Sequence, residues 1–133
     1  MLQQKPFILV VEDDGPLLKI LTRYLQAIGY TVLQATSFRE AVDRIAIKPN
    51  LVILDINLPD GTGWDVACWL QSLTHDVPIL MMSASARPGP KQLSNVGAKA
   101  FLAKPFPIEA LLSLVKQYAP LPGDYLDDLS ALA

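Results

Sequence analysis

The apolar positions fall into short unbroken runs separated by longer stretches in which they recur every three or four residues. Phe7-Ile8-Leu9-Val10-Val11 is the first run. Five apolar residues without alternation describe a strand buried on both faces, as in a parallel sheet. Asp13-Asp14-Gly15 ends it, with Asp14 placed to cap a helix and Pro16 suited to the first helical turn. Leu17, Leu21, Tyr24, Leu25 and Ile28 then recur at helical spacing, while Lys19, Arg23 and Gln26 fall off that face. Gly29 is a C-terminal cap by position.

The alternation repeats along the chain. Thr31 to Ala35 reads as a strand, and Ser37 with Glu40 reads as a capping box opening a helix to about Ile47. Leu51-Val52-Ile53-Leu54 is a buried strand ending at Asp55. Asn57 to Gly63 carries Pro59, Asp60, Gly61 and Gly63 and reads as loop. Trp64 to Leu73 is a helix, Val77 to Met82 a buried strand, Ala100 to Ala103 a short strand and Pro107 to Tyr118 a final helix. A further helix belongs between Ser83 and Lys99, shortened or displaced because Pro88, Gly89 and Pro90 break its start. The order is (βα)₅. Right-handed crossovers then predict an α/β fold, a doubly wound five-stranded parallel sheet with helices on both faces.

Composition narrows the function without naming it. A chain of 133 residues with 51% hydrophobic and 18% charged residues makes one domain with a real core, not a disordered tail. Eleven Lys and Arg against thirteen Asp and Glu argue against a generic electrostatic nucleic-acid binder. One cysteine fits a reducing compartment, and no apolar run reaches the length of a membrane span. The expectation is a cytoplasmic domain over residues 1–119, followed by a tail or linker stub over 120–133.

In an open α/β sheet, chemistry gathers beyond the carboxyl ends of the strands. Those positions hold Glu12 and Asp13, Asp55, Ser83 and Lys104, while the second strand supplies only Thr36 and Ser37. Carboxylates brought together stay ionised only around a cation, and an all-oxygen set suits Mg²⁺. A carboxylate beside such a metal is a nucleophile able to form an acyl phosphate. Phosphoryl transfer chiefly needs charge stabilisation on the equatorial oxygens, which Lys104 and the metal would supply.

Four segments in order carry a family resemblance. They are Val10-Val11-Glu12-Asp13-Asp14, Leu54-Asp55 with Leu58-Pro59-Asp60-Gly61, Met82-Ser83-Ala84, and Lys104-Pro105-Phe106. Over about residues 7–118 the chain resembles the receiver domain of two-component response regulators, a flavodoxin-like fold. The resemblance implies that Asp55 accepts a phosphoryl group from the phosphohistidine of a histidine kinase or a phosphotransfer protein. It implies Mg²⁺ held by Glu12, Asp13, Asp55 and the backbone carbonyl of Asn57. It makes Ser83 the switch hydroxyl, with Ala84 small enough to let its loop shift, Lys104 the phosphate-binding lysine and Phe101 the swinging aromatic. It also matches Lys104–Pro105 to a bond that is usually cis in the family. The implied role is a signalling switch that catalyses only its own phosphoryl transfer and dephosphorylation. It would act on a downstream protein partner or an output domain, without binding nucleic acid or membrane directly.

Where a large DNA-binding subfamily has charged pairs across a dimer interface, this chain has Lys99, Ala100 and Leu114. A monomer, or a dimer through another surface, is therefore expected. The alternative function is a haloacid-dehalogenase-type phosphatase, which also uses an aspartyl nucleophile. It requires an acid two residues after the nucleophile, where this chain has Asn57. A flavodoxin-like cofactor site would need a phosphate loop where Glu12-Asp13-Asp14 stands. Cys68 is expected to be a small packing residue, His75 a solvated loop residue, and Asp14 a helix cap outside the metal site.

Overall fold

The computed structural model describes residues 5–73 and 76–122, so His75 and most of the 120–133 tail lie outside the described residues. Five strands form one parallel sheet: β1 (Phe7–Val11), β2 (Thr31–Ala35), β3 (Leu51–Asp55), β4 (Ile79–Ser83) and β5 (Ala98–Ala103). Their spatial order is β2-β1-β3-β4-β5. The helices are α1 (Gly15–Ala27), α2 (Phe38–Ile45), α3 (Gly63–Leu73), α4 (Pro90–Asn95) and α5 (Ile108–Tyr118). This is the doubly wound (βα)₅ arrangement that the runs predict.

The unbroken runs are unbroken because each strand is covered on both sides. Leu9, Val11, Val52, Leu54, Ile79 and Met81 enter one apolar cluster, with Ile45 of α2 and Val66 and Leu70 of α3. The intervening Ile8, Val10, Leu51, Ile53, Leu80 and Met82 enter the other, with Leu18, Leu21 and Leu25 of α1 and Leu111 and Val115 of α5. All five residues of β3 are buried. A Leu or Ile buried this completely contributes about 1.5–3 kcal/mol relative to exposure.

Caps follow the sequence closely. The Asp14 carboxylate accepts the Leu17 N–H at 3.3 Å, Pro16 stands in the first turn, and Gly29 follows the helix at φ +116°. The buried face of α1 is Leu18, Leu21, Thr22 and Leu25, so Tyr24, expected on it, lies largely exposed. Ser37 Oγ accepts the Glu40 N–H at 3.1 Å, whereas Glu40 reaches back to Thr36 N and Oγ1 rather than to Ser37.

Some boundaries differ from expectation. α2 ends at Ile45, not Ile47, because Lys48 turns into the left-handed region at φ 64° and Pro49 disfavours helix before it. β4 starts at Ile79 because Pro78 has no N–H to give a ladder. It runs on to Ser83, and β5 starts two residues early at Ala98. The 57–63 segment is not plain loop: Asn57 pairs with Thr62 and Leu58 with Gly61 in a minimal antiparallel hairpin. α4 is one short turn and a half with no buried residue, as Pro88-Gly89-Pro90 implies.

Candidate functional site

Parallel register sets the carboxyl ends of the strands level. Val11 lies opposite Leu54, and Asp55 opposite Met82, while Ser83 lies opposite Ala103. Backbone bonds extend the ladder one residue past the strands. Glu12 N donates to Ala35 O at 2.9 Å, Ile56 N to Met82 O at 2.9 Å and Lys104 N to Ser83 O at 2.9 Å. Residues 12, 55, 83 and 104 are thus held at one edge by main-chain bonds, whatever their side chains do.

Carboxylate oxygens of Glu12, Asp13 and Asp55 come within 4.8 Å of one another. Glu12 and Asp55 are buried, and Asp13 is exposed. The Lys104 ammonium bridges the two buried acids, donating to Asp55 Oδ2 at 2.6 Å and to Glu12 Oε1. Burial and hydrogen bonding with Asp55 push the Glu12 carboxyl up to about 7, against the pull of Lys104. Burial opposes charge on Lys104, but its bonds to Asp55 and Glu12 outweigh this and raise its pKa. One lysine therefore leaves the acids short of positive charge. That deficit, the all-oxygen donors and the exposed approach along Asp13 fit a hard divalent cation such as Mg²⁺.

Asp55 Oδ1 accepts the Asn57 N–H at 2.9 Å. The Asn57 amide donates to Ser85 Oγ at 3.0 Å and Ser83 Oγ at 3.4 Å. Ser83 is fully buried, and its hydroxyl also accepts from Ser85 N at 3.1 Å and Ala86 N at 2.9 Å. Ala84 is exposed beside it and lines a cleft together with Lys104 and Phe106. Phe101 is half-buried against the apolar cluster that contains Met81 and Val96. Lys104–Pro105 is cis. Asp14 caps α1, as expected, and stands outside the trio of acids.

Two residues matter more than the sequence suggests. Gly63 packs against the backbone of strand β3; a Cβ there would lie 2.4 Å from Asp55 O. Asp60, read as a loop residue within the resemblance motif but given no role, caps α2 from 22 positions away, accepting Phe38 N at 2.7 Å and Arg39 N at 3.1 Å. A glycine at a loop-to-helix junction hints at close packing, but nothing local betrays the partner of Asp60. Cys68 corrects an expectation: it is exposed, because Val66, Ala67 and Leu70 occupy the buried face of α3. Trp64 packs against the core while Trp69 is largely exposed.

The phosphatase alternative lacks its general acid, since the Asn57 amide is engaged with Ser83 and Ser85 and has no acidic proton to give. Among the described residues, no helix is long and apolar enough to cross a membrane.

Comparison with known proteins agrees with this geometry. The response regulator receiver domain family matches residues 8–116. Response regulator MprA of Mycolicibacterium vanbaalenii is 38% identical over 111 residues, covering 82% of this chain and 48% of that protein. The chain therefore spans about half the length of the first curated relatives it matches. The polar-differentiation response regulator DivK of Brucella ovis is 28% identical over 84% of this chain and 94% of its own length. The non-phosphorylated HemR receiver domain of Leptospira biflexa superposes with a TM-score of 0.80 at 33% identity, covering 86% of this chain and 94% of that one. With its parallel sheet, its edge of acids and lysine and this match from strand β1 into helix α5, the chain belongs to the receiver domains of two-component response regulators.

Proposed function

We propose that Asp55 is the phosphoacceptor of this receiver, in a reaction that depends on Mg²⁺. The observation that carries this reading is the convergence of three carboxylates within 4.8 Å, with the Lys104 ammonium 2.6 Å from the buried Asp55. Glu12, Asp13, Asp55 and the Asn57 carbonyl would hold the ion, which when bound neutralises charge on the transferring phosphoryl oxygens.

An Asp55 carboxylate oxygen attacks phosphorus, and the bond from phosphorus to the donor nitrogen breaks as the histidine leaves with the electron pair. The product is an aspartyl phosphate, an acyl phosphate that water can later hydrolyse to restore Asp55. Lys104 pairs with a phosphoryl oxygen in place of the carboxylate oxygen it now holds. Ser83, whose hydroxyl accepts three hydrogen bonds at rest, turns to donate to the phosphoryl group, and Ala84 sets only a methyl group beside that turn. Phe101 then settles further into the space vacated. The phosphoryl group brings about two negative charges at neutral pH, enough to bias such a two-state element.

The donor is a histidine kinase or a phosphotransfer protein in the cytoplasm, and the output is a protein partner or an attached domain. Lys99, exposed on β5, and the half-buried Ala100 and Leu114 supply no matched ion-pair network, which supports a monomer or another dimer surface.

Incubation with acetyl phosphate and Mg²⁺, followed by intact mass, tests the central reading. One phosphoryl group is expected on the wild type and none on Asp55→Asn. Modification that persists in Asp55→Asn, or that ignores a chelator, overturns the assignment.

A further inference from the structure

We propose that Asp60 is a positioning residue for the metal site, clamping the loop that carries Asn57 to the N-terminus of α2. The proposal rests on the Mg²⁺ reading above and deepens it.

The clamp is visible in the accounting of α2's first N–H groups. A helix leaves its first donors without intrahelical partners. Here Ser37 Oγ takes the N–H of Glu40, and Ser37 O takes that of Ala41. The N–H groups of Phe38 and Arg39 go to the two carboxylate oxygens of Asp60. A short helix of eight residues thus has its cap completed by a different loop. Those same bonds hold the Asp60 carboxyl below its usual pKa, so it stays ionised against the positive end of the helix.

The other end of the clamp is the hairpin. Asp60 sits at its tip, between Leu58 and Gly61, which pair, and one step further back Asn57 pairs with Thr62. Thr62 is held in turn by the Asp65 carboxylate, through its N–H at 3.1 Å and its hydroxyl at 3.0 Å. Asn57 N donates to the acceptor carboxylate itself. From α2 to Asp55 there is therefore an unbroken series of short bonds through Asp60, the hairpin and Asn57. A cation would meet a loop already in place, so its binding would not have to order that loop.

An alternative role is simple stabilisation of α2, and a second cap of the same helix separates the two. The Ser37 hydroxyl caps α2 through Glu40 N and makes no hydrogen bond to the hairpin among the described residues, so Ser37→Ala loosens the helix but leaves the clamp. Mg²⁺ titrations by calorimetry would be run on the wild type, Ser37→Ala, Asp60→Ala and Asp60→Asn, each with a melting curve. Asp60→Ala is expected to weaken Mg²⁺ binding by about tenfold, the low end of what loss of an outer partner costs a metal site. Ser37→Ala should melt earlier yet keep its Mg²⁺ affinity within about twofold, as independent sites do. Asp60→Asn keeps one acceptor oxygen and should recover most of the affinity; should Asp60→Ala not fold, a threefold or so loss in Asp60→Asn carries the test. Wild-type affinity in both Asp60 variants overturns the proposal, as does equal weakening by Ser37→Ala. A wild type that takes up no Mg²⁺ at all overturns both this proposal and the metal reading beneath it, whereas tight wild-type binding with unaltered Asp60 variants overturns this one alone.

Discussion

Replacing Gly63 by alanine puts a methyl group where the backbone of Asp55 already lies. The added Cβ would be 2.4 Å from Asp55 O and 3.0 Å from both Asp55 C and Ile56 Cα. Ordinary contact begins at about 3.4 Å, so something must move by roughly 1 Å. None of the opposing atoms is a flexible side-chain tip; all belong to β3 and the residue after it, inside the sheet. Overpacking of this kind costs about 1–3 kcal/mol. With an unfolding entropy of about 2.1 cal/mol/K per residue, that is a fall in Tm of about 4–11 °C for a chain of this length. The functional loss should be larger in proportion. A displacement near 1 Å moves the Asp55 carboxylate relative to Lys104, and misplacement on that scale costs about a hundredfold in rate. Gly15 supplies the control, since a Cβ there meets nothing within 4 Å and the position is the first of α1. Gly15→Ala should melt at or slightly above the wild-type temperature and react normally. The assay is a melting curve together with the initial rate of phosphorylation by acetyl phosphate and Mg²⁺, read by intact mass. A Gly63→Ala protein with wild-type Tm and wild-type rate would show that strand β3 is not held by this contact.

Four further outcomes are expected. Asp13→Asn should weaken Mg²⁺ binding by calorimetry far more than Asp14→Ala, which instead loses about 1 kcal/mol of stability with its helix cap; equal loss of affinity places the acidic run in the wrong register. Lys104→Met should slow phosphorylation by about a hundredfold or more while leaving Mg²⁺ binding as tight or tighter, because the lysine now occupies oxygens the ion would use; weaker Mg²⁺ binding contradicts this. Glu12 rises from 4.5 unfolded to about 7 folded, so metal-free stability should fall as pH rises between those values and Mg²⁺ should restore it. Urea unfolding at pH 5 to 8 checks the slope, and an unchanged slope in Glu12→Gln refutes the assignment. Light scattering with beryllofluoride and Mg²⁺ should show no dimer through α4, β5 and α5; a dimer broken by changing Leu114 would mean that apolar contact suffices there.

Periodicity alone determined most of the fold. Unbroken apolar runs at residues 7–11, 51–54 and 79–82 force burial on both faces, and that demand has few solutions besides a parallel sheet between two helical layers. Short-range chemistry was equally legible: Asp14 and Ser37 cap the helices that follow them because donor and acceptor lie three residues apart. The gathering of Glu12, Asp13, Asp55 and Lys104 at one edge was legible too, since each stands just beyond a run and the register brings strand ends level. Tertiary structure decided what depends on partners distant in sequence. Asp60 meets α2 across 22 residues, Lys104 meets Glu12 across 92, and the close approach of Gly63 to Asp55 is a property of backbone packing that no residue pattern encodes. Exposure of Cys68 and Tyr24 was decided the same way: helical spacing names a face, but only the neighbouring layer determines how far around the helix burial extends.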